Sequence, residues 1–181
     1  MYKILQHQVF TKENFSIVPI RFEDKLKIMQ WRNEQLYHLR QQKPLTEIDQ
    51  EQYFTTTVAQ LFEQEQPNQL LFSFLENEVC IGYGGLVHIN WVDKNAEISF
   101  IMNTSLEAER FHEIWMAYLQ LLEQVAFQEL SFHKIYTHAF DLRPHLYVVF
   151  ESAGYLEEAR LKEHCYFENK FIDVVIHSKI N

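Results

Sequence analysis

Apolar positions along the chain follow two different periods, and the changes between them divide the sequence into strands and helices. Residues 15–22, FSIVPIRF, are β-branched and apolar at alternating positions and predict a first strand. In residues 25–35, KLKIMQWRNEQ, apolar side chains fall at helical spacing. A second helix is predicted from Thr46, because Asp49 follows three residues later in a capping-box pattern, and Pro67 ends it.

The middle of the chain predicts three strands and then a long helix. QLLFSFLEN and VCIGYGGLVHINW form a hairpin around residues 76–78, and NAEISFIMN follows the turn VDKN. In the next segment, apolar residues recur at steps of three and four and indicate a helix with one face toward the core. These residues are Phe111, Ile114, Trp115, Tyr118, Leu122 and Val125.

The last third predicts a strand, HKIYTHAF, then a short helix and two antiparallel strands joined near residues 168–169. The short helix has Pro144 in its first turn and Gly154 as its C-terminal cap. Because the long helix is a crossover, NAEISFIMN and HKIYTHAF are expected to be parallel neighbours. The order of elements predicts a mixed α/β fold with a mainly antiparallel central sheet flanked by helices.

Length and composition fit one folded domain over residues 1–181, with 47% hydrophobic and 15% aromatic residues. No apolar run is long enough to span a bilayer, and the start MYKILQHQVF lacks a signal-peptide pattern, so we expect no membrane association. Cys80 and Cys165 are too few for a disulfide framework or a zinc site, and His133, His138 and His164 lack metal-ligand spacing. We therefore expect a cytoplasmic protein without a bound metal.

The balance of charge separates two classes of partner. A formal net charge of −9 argues against nucleic-acid binding, because phosphate contacts need clustered lysine and arginine. An anionic small ligand held by a few local groups is compatible with the same charge.

Several local strings, in this order, resemble the GNAT N-acetyltransferase superfamily. IGYGGLVHI followed by AEISFIM is similar to the third and fourth strands of its RimJ/RimL-like branch, and FESAGYLEEARLKEHCYFENKFIDVVIHS is similar to the C-terminal signature of that branch. WRN at 31–33 with LT at 45–46 is similar to PseH-type nucleotide-sugar N-acetyltransferases. The resemblance covers nearly the whole chain and implies acetyl-coenzyme A as acyl donor and a small-molecule primary amine as acceptor.

The resemblance implies that the donor lies between the fourth and fifth strands of the family sheet. The pantetheine arm would meet the backbone of Phe100, Ile101 and Met102, where an amide N–H could hold the thioester carbonyl as negative charge develops. The phosphate loop of the family is rich in glycine, because glycine lets backbone amides close around a pyrophosphate at a helix N-terminus.

The corresponding stretch, LEAERFH at 106–112, contains no glycine, and Ala108 and Arg110 occupy the glycine positions. Either the coenzyme lies slightly shifted, held by Arg110 and the helix dipole, or the site has lost it. A purely structural interpretation is a capping box of Thr104 with Glu107. The candidate coenzyme contacts outside the strand are Ala108, Arg110, Phe111, His112, Asp141 and Arg143.

Attack on a thioester needs a neutral amine, so a base must remove a proton. Glu97 matches a position that serves as base in several members of the family, although a surface carboxylate at the sheet edge is an equally good interpretation. His88 on the neighbouring strand is a second candidate, because imidazole titrates near neutral pH, and a structural histidine is the competing interpretation. Tyr147 lies near the place of a family tyrosine that protonates the departing thiolate, and packing on the sheet would also explain it.

Arg32 and Asn33 lie on the first predicted helix, which borders the acceptor site in the family, and an arginine there would bind an acceptor phosphate. His138 lies at the end of the fifth strand with Asp141 and Arg143 and could line a ligand site. We therefore expect an N-acetyltransferase acting on an amino sugar carried by a nucleotide. A protein N-terminal acetyltransferase and a non-catalytic GNAT-fold scaffold are the alternatives, and the aromatic content would suit a homodimer.

Overall fold

One mixed sheet runs through the part of the chain that the computed structural model describes, residues 1–39 and 41–181. Its strands in chain order are β1 (Phe10–Lys12), β2 (Phe15–Pro19), β3 (Leu70–Glu76), β4 (Val79–Asn90), β5 (Asn95–Met102), β6 (Lys134–Tyr136), β7 (Ala139–Phe140), β8 (Leu156–Phe167) and β9 (Lys170–Ile180). Strands β1 to β6 are neighbours in sequence order, and β6 then pairs with β9. Both β6 and β7 pair with one edge of β9, and β8 pairs with the other.

Helices flank this sheet, and their bounds are α1 (Lys25–Glu34), α2 (Glu47–Tyr53), α3 (Ala59–Leu61), α4 (Glu107–Glu123) and α5 (Pro144–Ser152). A π-helical turn, Phe54–Val58, joins α2 to α3, and a second one, Gln124–Glu129, extends α4. Within the described residues, no helix combines the length and the apolar composition that crossing a membrane would need.

The predicted fold class, a mixed α/β arrangement with a mainly antiparallel sheet, is confirmed. The predicted hairpins are present, because Asn77 and Glu78 close β3 onto β4 with φ of 46° and 68°, and Glu168 and Asn169 close β8 onto β9 with φ of 46° and 62°. Two successive left-handed residues match the twist of antiparallel strands. The parallel pairing of β5 with β6 is also confirmed.

Three local features differ from the prediction. Strand β1 precedes the predicted first strand, and the second helix ends at Leu61 and not at Pro67. HKIYTHAF forms two short strands, because the chain bends at Thr137, whose side-chain oxygen accepts a hydrogen bond from the His177 backbone N–H at 3.2 Å. The Thr137 side chain is therefore the acceptor for the His177 N–H, a role that a backbone carbonyl would have in a continuous strand.

The core lies between the sheet and the predicted apolar face of α4, where Tyr118 is fully buried. The Tyr118 ring stacks on Phe100 of β5 with centroids 3.8 Å apart, and its hydroxyl donates to the Ser99 carbonyl at 2.8 Å. A Cβ on Gly84 of β4 would lie 2.0 Å from that carbonyl oxygen and 2.7 Å from the Tyr118 hydroxyl. Glycine is required at this position because β4, β5 and α4 approach too closely for a side chain.

A gap opens in the sheet beside β5. Strand β5 pairs with β6 only over its first three residues, from Asn95 opposite Lys134 to Glu97 opposite Tyr136. Its remainder, up to Met102, pairs with β4 alone. Since the chain after β6 bends toward β9, the second edge of β5 is left open over residues 98–102.

Candidate active site

A cavity of about 400 Å³ lies where β5 and β6 separate. Its walls come from α1, β4, β5, the bend between β6 and β7, and α5. Six of the residues predicted from the sequence line it: Arg32, His88, Glu97, Phe100, His138 and Arg143. Elements distant in sequence therefore bring two predicted acceptor contacts, two predicted bases and two predicted coenzyme contacts to one place.

The backbone of the second half of β5 faces the gap at alternate residues. The Met102 carbonyl accepts a hydrogen bond from Gln35 Nε2 at 2.9 Å, whereas the next amide, that of Asn103, donates to β4. Backbone direction alternates along an antiparallel strand, so Phe100 shares the direction of Met102 and Ile101 faces β4. Two of the three predicted backbone contacts, at Phe100 and Met102, therefore point toward the gap.

Glu97 and His88 form a hydrogen-bonded pair at the cavity wall. His88 Nδ1 lies 2.8 Å from Glu97 Oε2, and the exposed fraction is 62% for the His88 side chain and 15% for the Glu97 side chain. His88 has a φ of 49°, in the left-handed region, and the register of β4 with β5 is broken between Val87 and Asn90. The two candidate bases are thus in contact with each other.

Arg32 and Asn33 have separate roles in the structure. Arg32 lines the cavity, where Nη1 donates to the Tyr83 hydroxyl at 2.6 Å and Nε donates to Gln41 at 2.9 Å. The Asn33 amide lies outside that lining and exchanges two hydrogen bonds with the Leu45 backbone, at 2.7 and 2.9 Å. Asn33 therefore holds the loop after α1, and its acceptor contact stays a prediction without support from this geometry.

Residues 83, 85 and 87 of β4 share one face of the sheet, since side chains alternate along a strand. Val87 lies opposite Glu97, and Tyr83 lies opposite Ile101. Because Arg32 contacts the Tyr83 hydroxyl, Arg32 and Glu97 lie over the same face. The Cα atoms of Tyr83 and Val87 are on the order of 14 Å apart at 3.4 Å per residue.

The turn into α4 does not contain the capping box expected from the sequence. The Thr104 hydroxyl donates to the Glu34 carboxylate, and Asn103 caps the turn by accepting from the Ser105 amide at 3.1 Å. The first residue of α4, Glu107, follows without a side-chain cap. Thr104 was misassigned because its partner lies on α1, 70 positions away in sequence.

Arg110 lies on the side of α4 that faces β3. It forms a bidentate ion pair with Glu76, at 2.9 and 2.7 Å, and a second pair with Glu113 at 2.9 Å. The hydrogen bonds from Arg110 lower the pKa of Glu76. Ala108 and His112 are exposed on the same helix and do not line the cavity, so these coenzyme contacts remain predictions.

Arg143 supplies a buried positive charge beside the start of α4. Its side chain is 12% exposed, and its ion pair with Glu107 is long, with Nη1 3.8 Å from Oε1. That oxygen is buried and, among the described residues, has no hydrogen-bond partner; burial raises the pKa of Glu107 and lowers that of Arg143. Burial and the Arg143 charge together lower the pKa of His38 to about 3. Phe111 packs against His145 at the same end of α4, with ring centroids 4.5 Å apart.

Tyr147 and Asp141 form a separate cluster outside the cavity lining. The Tyr147 hydroxyl donates to Asp141 Oδ1 at 2.8 Å, and its ring stacks on His177 at 5.1 Å. Burial and the bond to Asp141 raise the pKa of Tyr147. Asp141 also pairs with Arg160. The proposed proton donor is therefore engaged with a carboxylate, and its role stays a prediction.

Sequence reasoning missed Gln35 and His38. His38 Nε2 lies 3.1 Å from Gln35 Oε1, and the Gln35 amide donates to the Met102 carbonyl. No local spacing could reveal this contact, because Gln35 and Met102 are 67 positions apart. Gln35 is fully buried, and buried polar side chains have hydrogen-bond partners in most structures. Its burial is therefore the structural sign of a specific partner.

Histidines occur at the cavity without forming a metal centre within residues 1–39 and 41–181. No three His, Cys, Asp or Glu side chains there are grouped closely enough to hold a metal ion. The rings of His138 and His164 are 5.9 Å apart.

Comparison with known families and structures gives consistent results. The family model described as acetyltransferase (GNAT) domain matches residues 17–176. The chain is similar to spermidine N-acetyltransferase from Vibrio cholerae in complex with CoA and spermine, with a TM-score of 0.81 and 17% identity over 93% of this chain and 96% of that chain.

It is also similar to the dodecameric form of spermidine N-acetyltransferase from Vibrio cholerae in an intermediate state, with a TM-score of 0.74 and 19% identity over 93% of this chain and 95% of that chain. A probable acetyltransferase gives a TM-score of 0.73 at 20% identity over 96% and 97% of the two chains. At these identities the structural matches establish a shared fold.

Proposed function

The chain belongs to the acetyltransferase (GNAT) family, and from this premise we propose that it acetylates a primary amine whose molecule also carries an anionic group, such as a nucleotide-linked amino sugar. It is a GNAT-type N-acetyltransferase, and acetyl-coenzyme A is its acyl donor. The observation that carries the acceptor proposal is the charge of the cavity. The cytoplasmic location, the single domain over residues 1–181 and the PseH-like assignment are parts of the same proposal.

Three features of the described residues fit acetyl-coenzyme A. The open edge of β5 directs backbone groups of Phe100 and Met102 into the gap. Arg143 is a buried cation at the cavity, and α4 begins beside it without a side-chain cap. Anions are stabilised at such helix starts. Glu97 precedes Met102 by five residues, roughly 17 Å at 3.4 Å per residue, a span similar to an extended pantetheine arm.

Each element then has a chemical role. We expect Arg143 and the first turn of α4 to hold the phosphates, and the gap beside β5 to hold the pantetheine arm. The Phe100 N–H is suited to stabilise the negative charge that develops on the thioester oxygen during attack. The His88–Glu97 pair lies at the other end of the open edge, where the acceptor amine would meet the acetyl group.

The charge of the cavity favours an anionic acceptor. Among the described residues that line it, Arg32 and Arg143 carry permanent positive charges, and Glu97 carries the one carboxylate. Arg32 lies over the same face of the sheet as Glu97, and it contacts Tyr83, whose Cα is on the order of 14 Å along β4 from that of Val87, the residue opposite Glu97. An extended acceptor can place its amine at Glu97 and its phosphate at Arg32, where guanidinium donors bind phosphate well.

A polyamine is the rival acceptor that the structural neighbours suggest. The neighbour from Vibrio cholerae is described with CoA and spermine bound. Spermine carries several positive charges at neutral pH and would meet the Arg32 guanidinium on the acceptor side of the cavity, since Arg143 is assigned to the donor phosphates. Like charges in a cavity of low dielectric repel strongly, so we expect spermidine and spermine to be poor acceptors.

The acceptor proposal is tested with purified protein, acetyl-coenzyme A and three amines: a nucleotide-linked amino sugar, a peptide with a free N-terminus, and spermidine. We expect the amino sugar to give the highest kcat/KM, and Arg32→Gln to raise its KM about tenfold through loss of one charge-assisted contact. Lys27→Gln removes the same charge from an exposed position of α1 and should leave KM unchanged. Faster turnover of spermidine than of the amino sugar would contradict the proposal.

We also propose a homodimer. The outer edge of β8 carries no strand partner among the described residues, and the nearby rings of Tyr166 and Phe171 are 65% and 63% exposed. An exposed strand edge with aromatic side chains is suited to pair with a second copy. Light scattering coupled to size-exclusion chromatography should give twice the chain mass of 21.9 kDa, and the monomer mass would contradict it.

A further inference from the structure

We propose that His88 is the general base of the transfer reaction, with Glu97 as the residue that positions it, an assignment that rests on the proposed function. The sequence left Glu97 and His88 as separate candidates for one role. Their contact in the structure gives each of them a different role.

The hydrogen bond between the two side chains defines which imidazole nitrogen carries the proton. His88 Nδ1 lies 2.8 Å from Glu97 Oε2. An ionised carboxylate only accepts hydrogen bonds, so Nδ1 must be the protonated nitrogen and Nε2 keeps a free lone pair. Among the described residues none is hydrogen bonded to Nε2, and the side chain is 62% exposed beside the cavity. Nε2 is therefore accessible to an incoming amine.

The backbone at His88 is shaped to produce this contact. Val87 lies opposite Glu97, so the two side chains share a face, and the next residue of a regular strand would point to the other face. The register breaks after Val87, and His88 adopts a φ of 49°. Such bulges redirect side chains and occur next to active sites. The bulge turns His88 back to the face that carries Glu97.

Glu97 is better suited to hold His88 than to take the proton itself. Its side chain is only 15% exposed, and it is already engaged with Nδ1. A carboxylate bonded to Nδ1–H fixes the ring orientation and stabilises the imidazolium that forms when Nε2 is protonated. The other arginine and histidine side chains that line the cavity with this pair are Arg32 on α1, Arg143 before α5, His38 and His138.

The proposed step balances in atoms and charge. The amine nitrogen attacks the thioester carbon, a C–N bond forms, and the π electrons move to the carbonyl oxygen. His88 Nε2 takes one proton from the attacking nitrogen. The oxygen electrons re-form the carbonyl, the C–S bond breaks, and the departing thiolate takes a proton from solvent. His88 then releases its proton to solvent, and the products are an amide and coenzyme A thiol.

The test uses His88→Gly and His88→Asn, since both residues tolerate a left-handed backbone and preserve the bulge. We expect kcat to fall roughly 100- to 1,000-fold in both variants with the acceptor KM within threefold, which is the usual contribution of a general base. Added imidazole should restore a substantial part of the kcat of His88→Gly, a response that a purely structural residue would not give. Glu97→Gln should lower kcat less and should not respond to imidazole.

The chain provides a matched control in a second histidine–glutamate pair. His7 Nδ1 lies 2.8 Å from Glu129 Oε2, the same distance as in the cavity pair, and neither residue lines the cavity. His7→Asn should leave kcat unchanged. A His88→Gly enzyme that keeps the wild-type kcat, or one whose lost kcat imidazole does not restore, overturns the assignment.

A second readout does not depend on turnover. In ¹⁵N spectra of the wild-type protein, with His88 assigned by its loss in His88→Asn, we expect a protonated Nδ1 and an unprotonated Nε2 in the neutral ring. The opposite tautomer overturns the assignment. Wild-type protein that binds acetyl-coenzyme A but acetylates none of the three amines overturns the proposed function and this inference together, whereas turnover with an unaffected His88→Gly overturns the inference alone.

Discussion

The two halves of β5 contribute to the candidate site in different ways. Over Asn95–Glu97 the strand is paired on both edges, and its contribution is a side chain that meets His88. Over residues 98–102 it is paired on one edge, and its contribution is backbone directed into the gap. The paired half can be recognised in a sequence, because alternation along a strand determines which side chains share a face. The open half depends on where a different strand turns away.

The largest effect on stability is expected from filling the space between β4 and the open half of β5, residues 98–102. Gly84→Ala places a Cβ 2.0 Å from the Ser99 carbonyl oxygen, a contact that the backbone can relieve only by moving β5. We expect the free energy of unfolding to fall by about 3 kcal/mol, the upper range for overpacking. Urea denaturation measures it.

Gly154→Asn is the control for this substitution. Gly154 has a φ of 84°, which asparagine tolerates, and the nearest atoms to an added Cβ are 3.8 Å away on the Lys179 side chain. We expect a change of about 0.5 kcal/mol or less. Equal losses in the free energy of unfolding for the two substitutions would show that the spacing of β4 and β5 does not depend on the absence of a side chain at position 84.

The second prediction concerns the pH dependence of stability. It involves His38, which contacts Gln35, the residue whose amide donates to the Met102 carbonyl at the end of the open half of β5. Burial and Arg143 lower the pKa of His38 to about 3, below the ordinary value near 6.5, so the unfolded chain binds the proton first. The free energy of unfolding should therefore decrease as the pH falls below about 6.5, by about 2 kcal/mol at pH 5. Acidic groups also respond to pH, and the difference between wild type and His38→Gln isolates this contribution. Parallel stability curves for the two proteins would contradict the prediction.

The third prediction compares two arginines on either side of the start of α4. Arg143 is buried at the cavity, whereas Arg110 is held by Glu76 and Glu113. We expect Arg143→Gln to weaken acetyl-coenzyme A binding about tenfold, through loss of one charge-assisted contact. Arg110→Gln should change the Kd less than twofold and lower stability by about 1 kcal/mol. Calorimetric titration of both variants measures the difference, and the reverse order would return the phosphate contact to Arg110.

The smallest effect is expected for Tyr118→Phe. The substitution removes the hydroxyl that donates to the Ser99 carbonyl and keeps the ring that stacks on Phe100. Loss of one buried hydrogen bond should lower the free energy of unfolding by about 1 kcal/mol. A loss as large as that of Gly84→Ala, measured by urea denaturation, would show that this bond controls the position of β5.

Much of the fold follows from local sequence signals. Thr46 and Asp49 form the expected capping box, and Gly154 ends α5 in the left-handed conformation that glycine favours. The resemblance to the GNAT superfamily is confirmed at the level of the family. Strand β1 and the early end of the second helix at Leu61 were missed, because three-residue strands and fraying helix ends carry weak periodic signals.

The candidate site was predictable only in part. Glu97 and His88 were both identified, but their contact depends on a bulge between Val87 and Asn90, where the sequence has neither glycine nor proline. Arg110 and Arg143 were both predicted as coenzyme contacts, Arg110 because it stands in the stretch that resembles the family phosphate loop. The tertiary fold separates them, since Arg110 is held by Glu76 and Glu113 whereas Arg143 lies buried at the cavity. The spacing of residues in one segment cannot show that a distant element places a charged side chain beside it.

The most direct test of the account is amide hydrogen exchange in the wild-type protein with and without saturating acetyl-coenzyme A. If the open edge of β5 binds the donor despite the glycine-free turn, exchange should slow at residues 98–103 and at the start of α4, while β8 stays unchanged. Unchanged exchange at residues 98–103 in folded protein, with or without protection elsewhere, would contradict the assignment of this gap as the donor site.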